Sequence, residues 1–293
     1  MKDIIKKLRS SFYKYKIDGY LIPKNDEFFS EFANKDRLKK VTNFKGSAGY
    51  AIILKDKNYL FVDSRYTIQA NIESGKKFEI LDLEKIFGFR EINNLIIGID
   101  PALFTSNQIK KIFPKKNFKI LHENLVDKIV NFKKLKNNKF YSLDEKITGE
   151  SQKSKINKIV NYLNDKDIDY IFVSAPENVA WLLNIRGNDS PTSPIPNSHL
   201  IISRNKKKII IAKKKKLKFL IKKKYFKSSE VIDPNEIEIL NNKLIGKSIL
   251  LDVKSCSFKF EKIFSKKFRV IKKIDPTYFL KSVKNKTEIT NMI

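Results

Sequence analysis

The chain has 293 residues, which corresponds to about two domains at roughly 100–200 residues per domain. Its hydrophobic fraction of 41% and aromatic fraction of 12% exclude a disordered protein, and it lacks an uncharged apolar run of the roughly 18 residues that a membrane-spanning helix needs. The first ten residues alternate apolar side chains with Lys2, Lys6, Lys7 and Arg9, which predicts an amphipathic helix and not a signal peptide. A single cysteine, Cys256, permits no internal disulfide, so we expect a cytoplasmic protein.

The formal net charge of +29 has two interpretations. One is a Lys-rich nucleic-acid-binding module, suggested by the runs Lys206–Lys208, Lys213–Lys216 and Lys222–Lys224. The other is compositional: the basic residues are nearly all lysine, they are dispersed, and arginine, which recognises bases and phosphates in a bidentate manner, is scarce. We favour the compositional interpretation, in which the runs form a solvated hairpin turn and helix face.

The first half of the chain alternates helix and strand patterns, which predicts an α/β domain. In chain order we expect a helix with apolar positions from Ile4 to Tyr15, a strand at Tyr20–Ile22, a helix capped by Asp26 through Phe28, Phe29 and Phe32, strands at Tyr50–Leu54 and Asn58–Val62, a helix capped by Ser64 and ended by Gly75, and strands at Phe78–Leu81, Leu95–Ile99 and Phe118–Leu121.

The second half repeats this order after a Lys- and Asn-rich stretch, Lys133–Lys139, that predicts a domain boundary. A helix opened by Ser151 or Glu150 is followed by a strand at Ile168–Val173, a helix from Pro176, and a hairpin of His199–Ser203 with Lys208–Ala212. Each half also carries an Asn-apolar-basic-Gly loop before its hairpin, at 43–46 and 184–187. The repeated order predicts an internal duplication.

The residues that carry chemistry form no complete catalytic or metal-binding constellation. The two histidines, His122 and His199, are far apart in sequence, and Cys256 has no histidine near it. Ser47 lacks the glycine two residues earlier that a nucleophile elbow requires. No phosphate-binding or dinucleotide-binding fingerprint occurs. We therefore assign no catalytic residue, no metal ligand and no cofactor to this chain.

Four segments together resemble the Xaa-Pro aminopeptidase family of the creatinase superfamily. They are Phe44-Lys45-Gly46-Ser47-Ala48-Gly49; Asp63-Ser64-Arg65-Tyr66 with Gln69-Ala70, where Ser64 replaces the family's usual glycine; Ala180-Trp181-Leu182-Leu183-Asn184-Ile185-Arg186-Gly187-Asn188-Asp189 with Pro191 and Pro194; and Leu280-Lys281-Ser282-Val283-Lys284-Asn285-Lys286-Thr287-Glu288-Ile289. They occur in the family's order and cover nearly the whole chain.

The resemblance implies two related α/β domains of the creatinase N-terminal type, each a mixed β-sheet flanked by helices. We expect them at 1–145 and 146–278, with 279–293 as the start of a segment that leads into a C-terminal pita-bread domain absent from this chain. In the complete enzyme that domain would hold a dinuclear Mn²⁺ centre and remove an N-terminal residue that precedes proline. The N-terminal portion represented by this chain would form a homodimer and shape access to the active site. From the composition we expect it to bind no specific nucleic acid and no membrane.

The resemblance also suggests roles for individual residues. The loop of Phe44, Gly46, Ser47 and Gly49 is the candidate for lying at the partner subunit's active site, with its glycines adopting backbone angles closed to other residues. A purely local role, with Phe44 filling its own core, is the competing account. For Asp63, Arg65 and Tyr66 we favour capping with a local ion pair over direct contact with a ligand, and for Trp181 core packing is the default role. Arg186, Gly187 and Asp189 are further motif residues to which no role is assigned. A stand-alone, non-catalytic binding protein built from such domains is the other alternative.

Overall fold

The computed structural model describes residues 2–30, 33–132, 138–190 and 192–293. The contact pattern divides the chain into two compact units, Met1–Leu135 and Lys136–Ile293. The boundary stretch expected at Lys133–Lys139 falls largely on residues 133–137, which lie outside the described residues.

The first unit is built on one six-stranded sheet with the strand order β4-β3-β2-β1-β5-β6. Its strands are β1 (Gly19–Pro23), β2 (Gly49–Leu54), β3 (Asn58–Val62), β4 (Glu79–Asp82), β5 (Ile97–Ile99) and β6 (Phe118–Ile120). Its helices are α1 (Lys2–Tyr15), α2 (Arg37–Thr42), α3 (Thr67–Ser74), α4 (Ser106–Ile112) and α5 (Leu125–Ile129). β1 pairs with β2 and β2 with β3 in antiparallel fashion, whereas the other three pairings are parallel.

The second unit repeats this sheet with the strand order β12-β11-β10-β8-β13-β14. Its strands are β7 (Tyr141–Ser142), β8 (Tyr170–Val173), β9 (Ile185–Arg186), β10 (His199–Ser203), β11 (Lys208–Ile211), β12 (Val231–Ile232), β13 (Ser248–Asp252) and β14 (Arg269–Lys273). Its helices are α6 (Glu145–Thr148), α7 (Gln152–Asp165), α8 (Pro176–Leu182), α9 (Lys214–Lys222), α10 (Ile237–Lys243), α11 (Phe258–Ser265), α12 (Thr277–Ser282) and α13 (Lys286–Thr290). β7 and β9 form a separate two-stranded antiparallel sheet.

The two large sheets have the same connectivity, as the repeated sequence order predicts. In each, the first strand lies centrally, antiparallel to the second on one side and parallel to the fifth on the other. The helix that precedes the central strand in each unit packs its apolar face on the core at helical spacing, with Leu8 and Phe12 in α1 and Ile159 and Leu163 in α7. The mixed α/β architecture is thus confirmed for both halves.

Two predicted helix starts are wrong. Asp26 caps no helix, because its carboxylate accepts hydrogen bonds from the backbone N–H groups of Phe28 and Ser30 within a turn, and the next helix begins at Arg37 with Asp36 as its N-cap. Phe32, assigned to the predicted helix, lies outside the described residues. Ser64 does not cap α3, because it belongs to the short 3₁₀ helix Ser64–Tyr66, whose N-cap is Asp63; the N-cap residue of α3 itself is Tyr66, which makes no side-chain capping hydrogen bond. In both places the capping carboxylate belongs to a residue other than the predicted one: Asp36 accepts from the backbone N–H of Lys39, and Asp63 accepts from that of Arg65.

The segment after residue 278, expected to lead out of the second domain, packs within the second unit. α12 contacts α8, and α13 contacts α6. Phe140, which precedes the expected start of the second domain, is fully buried in the core of the second unit. The expected ranges 1–145, 146–278 and 279–293 remain predictions.

Candidate functional site

The loop at residues 44–49 connects α2 to β2 and is anchored by Phe44. The side chain of Phe44 is fully buried in the core of the first unit, and its ring meets the ring of Tyr66 edge to face at a centroid distance of 5.9 Å. Ser47 is half-buried, and Lys45 is exposed at the surface. The ring of Phe44 therefore anchors the loop in the core of the first unit, while Lys45 faces the solvent.

The glycines of this loop serve a different purpose from the one expected. Neither Gly46 nor Gly49 has a positive φ, so the prediction of backbone angles closed to other residues is wrong. A Cβ at Gly46 would instead lie 2.1 Å from Cζ of Phe44, and a Cβ at Gly49 would lie 2.8 Å from the carbonyl oxygen of Phe61. The glycines are needed for space, and the left-handed residue of this region is Asn43, which ends α2 at φ 69°.

The structure brings the first two sequence motifs together. The hydroxyl groups of Ser47 and Tyr66 are 2.9 Å apart. The carboxylate of Asp63 accepts from the backbone N–H of Arg65 at 3.0 Å and pairs with its Nε at 2.8 Å, which is the local capping and ion-pair arrangement. Arg65 is exposed and lies over the Tyr66 ring at 5.7 Å. The Asp63–Arg65 interaction holds the pKa of the Asp63 carboxyl below its usual value.

Beside the loop lies an open, mostly cationic pocket of about 390 Å³, lined by Lys39, Lys40, Asn43, Lys45 and Glu73. Glu73 accepts from the backbone N–H of Lys45 at 2.8 Å, a bond that works with Gln69 and the Lys45 side chain to lower the pKa of Glu73 although partial burial opposes this. Hydroxyl, guanidinium and ammonium groups in this arrangement can bind an anionic or hydrogen-bonding partner. The Ser47–Tyr66 contact includes neither imidazole nor carboxylate, the usual activators of a serine nucleophile.

The third motif surrounds a buried lysine. Lys155 in α7 is 1% exposed, and its Nζ lies 4.2 Å from the centroid of the Trp181 ring. The same ammonium donates to the carbonyl of Trp181 at 3.2 Å and to Oδ1 of Asn184 at 2.8 Å. Trp181 is only partly buried and packs at the edge of the core, and Asn184 is left-handed at φ 50°. Burial, which outweighs the nearby carboxylates, lowers the pKa of Lys155 to about 8.

The rest of this motif fixes the loop that follows α8. A Cβ at Gly187 would lie 2.8 Å from the ring of Phe140, so only glycine fits there. Asp189 is buried, accepts from the backbone N–H of Asn197 at 2.8 Å and pairs with the ammonium of Lys216. Arg186 donates to the carbonyls of Ala180 and Ile185, and burial lowers its pKa. These roles are structural, and Pro191 of the motif lies outside the described residues.

The other titratable candidates are buried and deactivated. Nδ1 of His199 lies 2.8 Å from the carbonyl oxygen of Ser174, and complete burial lowers the pKa of His199 to about 4. Burial raises the pKa of the Cys256 thiol, which opposes formation of the reactive thiolate. Within the described ranges no group of three or more His, Cys, Asp or Glu side chains is placed to hold a metal ion.

The Lys runs do not form a uniform cationic surface. Lys216 is buried against Asp189, and the half-buried Lys208 lies 5.3 Å from the Phe226 ring centroid and donates to Gln152. Lys214 pairs with Glu236 at 3.1 Å. The remaining lysines of the runs are exposed, on the turn after β10, on α9 and next to the two ends of α9, as the compositional interpretation predicts.

Sequence reasoning missed Lys155, Lys216 and Arg37. Arg37 is 1% exposed and makes two hydrogen bonds to Asp127 through Nε and Nη2, with Glu27 as a further partner. For two of the three, the sequence pattern indicates burial. Lys155 adjoins the apolar stripe of α7 at Ile156 and Ile159, and Lys216 adjoins Leu217 on the inner side of α9. Arg37 opens a short helix and has no such pattern.

Comparison with known proteins identifies the family. Residues 4–129 match the family model described as the creatinase/prolidase N-terminal domain, and residues 131–288 match a second model with the same description. The chain therefore belongs to the creatinase/prolidase family and contains two of its N-terminal domains.

Within this family the similar proteins are Xaa-Pro aminopeptidases. Xaa-Pro aminopeptidase 1 of Dictyostelium discoideum is 28% identical over 98% of this chain and 50% of its own length. Aminopeptidase P2 of Arabidopsis thaliana is 31% identical over 64% of this chain and 29% of its own length. The X-prolyl aminopeptidase of Caenorhabditis elegans, described as a cytosolic enzyme with a di-nuclear active site, has the same fold, with a TM-score of 0.86 and 22% identity over 99% of this chain and 53% of that one.

The chain thus spans about half, or less, of the length of these relatives. Its resemblance to the N-terminal domains of Xaa-Pro aminopeptidases is confirmed. Among the helices that the structure describes, none is long and apolar enough to cross a bilayer.

Proposed function

We propose that this chain is the N-terminal two-domain portion of a metal-dependent Xaa-Pro aminopeptidase, which removes an N-terminal residue that precedes proline. The observation that carries the proposal is the succession of two creatinase/prolidase N-terminal domains over nearly the whole chain, with aminopeptidase relatives that align across it. The worm neighbour, described as cytosolic, supports a cytoplasmic location.

The chemistry of the complete enzyme would be metal-assisted hydrolysis. When bound, a dinuclear centre would supply Lewis-acid polarisation of the scissile carbonyl and a nucleophile at neutral pH. The di-nuclear site in the description of the worm enzyme supports this class of mechanism, and Mn²⁺ is the metal that the family resemblance suggests. We assign no metal ligand among the residues of this chain.

The role proposed for this portion is dimerisation and control of access to the active site. The loop at 44–49 would lie at the partner subunit's active site in a homodimer. Its support is geometric: Phe44 anchors the loop in the core, and Ser47 and Tyr66 fix a tip that faces outward beside Arg65 and the pocket at Lys45. A rigid, polar tip of this kind suits a substrate-access element.

The activity is tested on the complete protein that contains this chain. It should release the first residue of an Arg-Pro-Pro peptide, lose this activity with a chelator and regain it with Mn²⁺. An Arg-Ala-Ala peptide of equal length is the control. Equal turnover of both peptides, or none on the proline peptide with Mn²⁺, Co²⁺ or Zn²⁺, would contradict the proposal.

The loop role is tested by Ser47→Trp in the complete protein, with Tyr66→Phe as the matched control. Both changes break the Ser47–Tyr66 hydrogen bond, but only tryptophan adds bulk at the loop tip. If the tip faces a partner's active site, Ser47→Trp should lower turnover at least tenfold while Tyr66→Phe leaves it nearly unchanged. Equal effects, or a loss that follows the melting temperature, would leave only the local role.

A further inference from the structure

The indole of Trp181 lies between a cation and an anion. The ammonium of Lys155 lies 4.2 Å from the ring centroid, and the ring N–H donates to Oε1 of Glu288 at 3.3 Å. A carboxylate that accepts from the indole edge increases the electron density of the ring, which strengthens the attraction between the ring face and the ammonium. We call these three residues the indole clamp.

Glu288 connects the clamp to α13. Its Oε2 accepts from the backbone N–H of Asn285, and Oδ1 of Asn285 accepts from the backbone N–H of Glu288, so the pair forms a capping box at the start of α13. One carboxylate therefore closes the helix cap with one oxygen and binds Trp181 with the other. Any change of its charge acts on both contacts.

A second contact fixes the same helix end. Nδ2 of Asn285 donates to the carbonyl of Thr148 at 2.9 Å, next to Gly149, which is left-handed at φ 69°. A Cβ at Gly149 would lie 2.3 Å from Oδ1 of Asn285 and 2.7 Å from Cβ of Thr287. The glycine leaves the space into which the start of α13 fits.

The charge of Lys155 depends on α13. Among the described residues Lys155 makes no direct ion pair; the carboxylates of Glu288 and Glu150 raise its pKa, whereas Arg186, Lys158 and above all burial lower it. The groups in direct contact with the ammonium of Lys155 are the ring and carbonyl of Trp181 in α8 and Oδ1 of Asn184 in the turn after it. None of these belongs to α13, so release of α13 removes the carboxylate of Glu288 but leaves these contacts in place. Docked α13 thus favours the charged form of Lys155.

We propose that the indole clamp is a proton-linked positioning device that holds α13 on the second unit. Neutralising the ammonium of Lys155 or the carboxylate of Glu288 loosens α13. In this device the two sequence motifs at Trp181 and at Asn285–Glu288 have a physical role that is separate from the proposed enzymatic function. The sign follows from linkage: because docking raises the pKa of Lys155, docking is supported while Lys155 is protonated and weakens as the pH rises through about 8.

The experiment uses the whole chain and its single tryptophan. Trp181 gives one indole N–H resonance, whose chemical shift and solvent exchange report the bond to Glu288, and backbone hydrogen exchange at 286–293 reports the docking of α13. In the native chain the indole resonance should titrate with a midpoint near 8, and exchange in α13 should increase across the same pH interval beyond the intrinsic base-catalysed rise.

Three variants separate the parts of the clamp. Lys155→Met should abolish the titration and leave α13 loosened at every pH. Glu288→Gln keeps an acceptor oxygen but removes the charge, so it should lower the midpoint of the titration and speed α13 exchange roughly fivefold or more, since hydrogen bonds to charged groups are the stronger ones. Trp181→Phe removes the N–H donor and should loosen α13 to a similar degree. Unchanged α13 exchange in all three variants would overturn the proposal.

Gly149→Ala and Gly88→Ala form a matched pair for the docking contact. Both glycines are left-handed, at φ 69° and 70°, but among the residues that the structure describes a Cβ at Gly88 would meet only the Pro114 side chain, at 4.0 Å. Gly149→Ala should release α13 and shift the indole resonance, whereas Gly88→Ala should leave both unchanged. A tightening of α13 with rising pH, or equal responses of the two alanine variants, would also contradict the proposal.

Discussion

Gly46→Ala tests whether the loop at 44–49 is anchored by the Phe44 ring. The new Cβ would lie 2.1 Å from Cζ of Phe44, and non-bonded carbons prefer about 3.5–4.0 Å, so the ring would have to move by about 1.5 Å. That ring is fully buried. Forcing an additional carbon into a packed core costs about 1–3 kcal/mol, and we expect a loss of this size in the free energy of unfolding of the first unit.

Phe44→Leu supplies the control, because leucine lacks the three ring atoms that are nearest to the added Cβ. Alone it should cost about 1–2 kcal/mol, a fraction of the roughly 3–5 kcal/mol for complete truncation of a buried phenylalanine. In the double variant the added methyl should cost little, so the two effects should fall short of additivity by about 1 kcal/mol or more.

Urea denaturation of the whole chain measures this cycle. Circular dichroism follows the loss of secondary structure, hydrogen exchange in β2 and α2 locates the change, and fluorescence of Trp181 follows the second unit. Strict additivity of the two substitutions, or a neutral Gly46→Ala, would show that the Phe44 ring does not occupy the space above Gly46.

Three further outcomes are expected. Asp127→Asn leaves the guanidinium of Arg37 buried without its bidentate partner and should lower the free energy of unfolding by about 3–5 kcal/mol. Asp63→Asn, at an exposed ion pair, should change the thermal midpoint little. Equal losses of stability in the two variants would contradict this contrast. Burial lowers the pKa of His199 from 6.5 to about 4, so below pH 6.5 the unfolded state binds more protons than the folded state. The free energy of unfolding should therefore fall by on the order of 2 kcal/mol from pH 7 to pH 5. The same pH dependence in the His199→Asn variant would refute this cause. Binding to DNA or RNA should be weak and lost near physiological salt, because the lysines are dispersed and some, such as Lys216 and Lys208, make contacts within the fold. Sub-micromolar affinity at that salt concentration would favour the nucleic-acid-binding alternative.

The element order of the fold could be predicted from the sequence because each element carries a local pattern. Apolar residues at helical spacing gave α1 and α7, and short apolar runs between polar turns gave the strands of both hairpins. The repetition of that order predicted two sheets of the same connectivity. The caps were less predictable, since Asp26, Ser64, Asp36 and Asp63 are all good N-cap residues and the choice among them depends on where the chain is held by packing.

The motif residues were predictable as a set, but not their roles. The sequence contains Ser47 and Tyr66 nineteen positions apart, and only the pairing of β2 with β3 brings their hydroxyls within 2.9 Å. The glycines at 46 and 49 were expected for their backbone angles, yet the ring of Phe44 and the carbonyl of Phe61 determine them by occupying the space of a side chain.

By itself the sequence determined the class of fold, its duplication and the family, because these rest on short-range patterns and on motifs that can be found in order along the chain. Only the tertiary structure decided which charged groups are buried and what compensates them. Lys155, Arg37 and Lys216 resemble ordinary surface residues in sequence, and each is placed in the interior by elements that are distant along the chain. Desolvation is a property of the surroundings and not of the residue, so a pKa near 8 for Lys155 and its dependence on Glu288 exist only once α7, α8 and α13 have packed together.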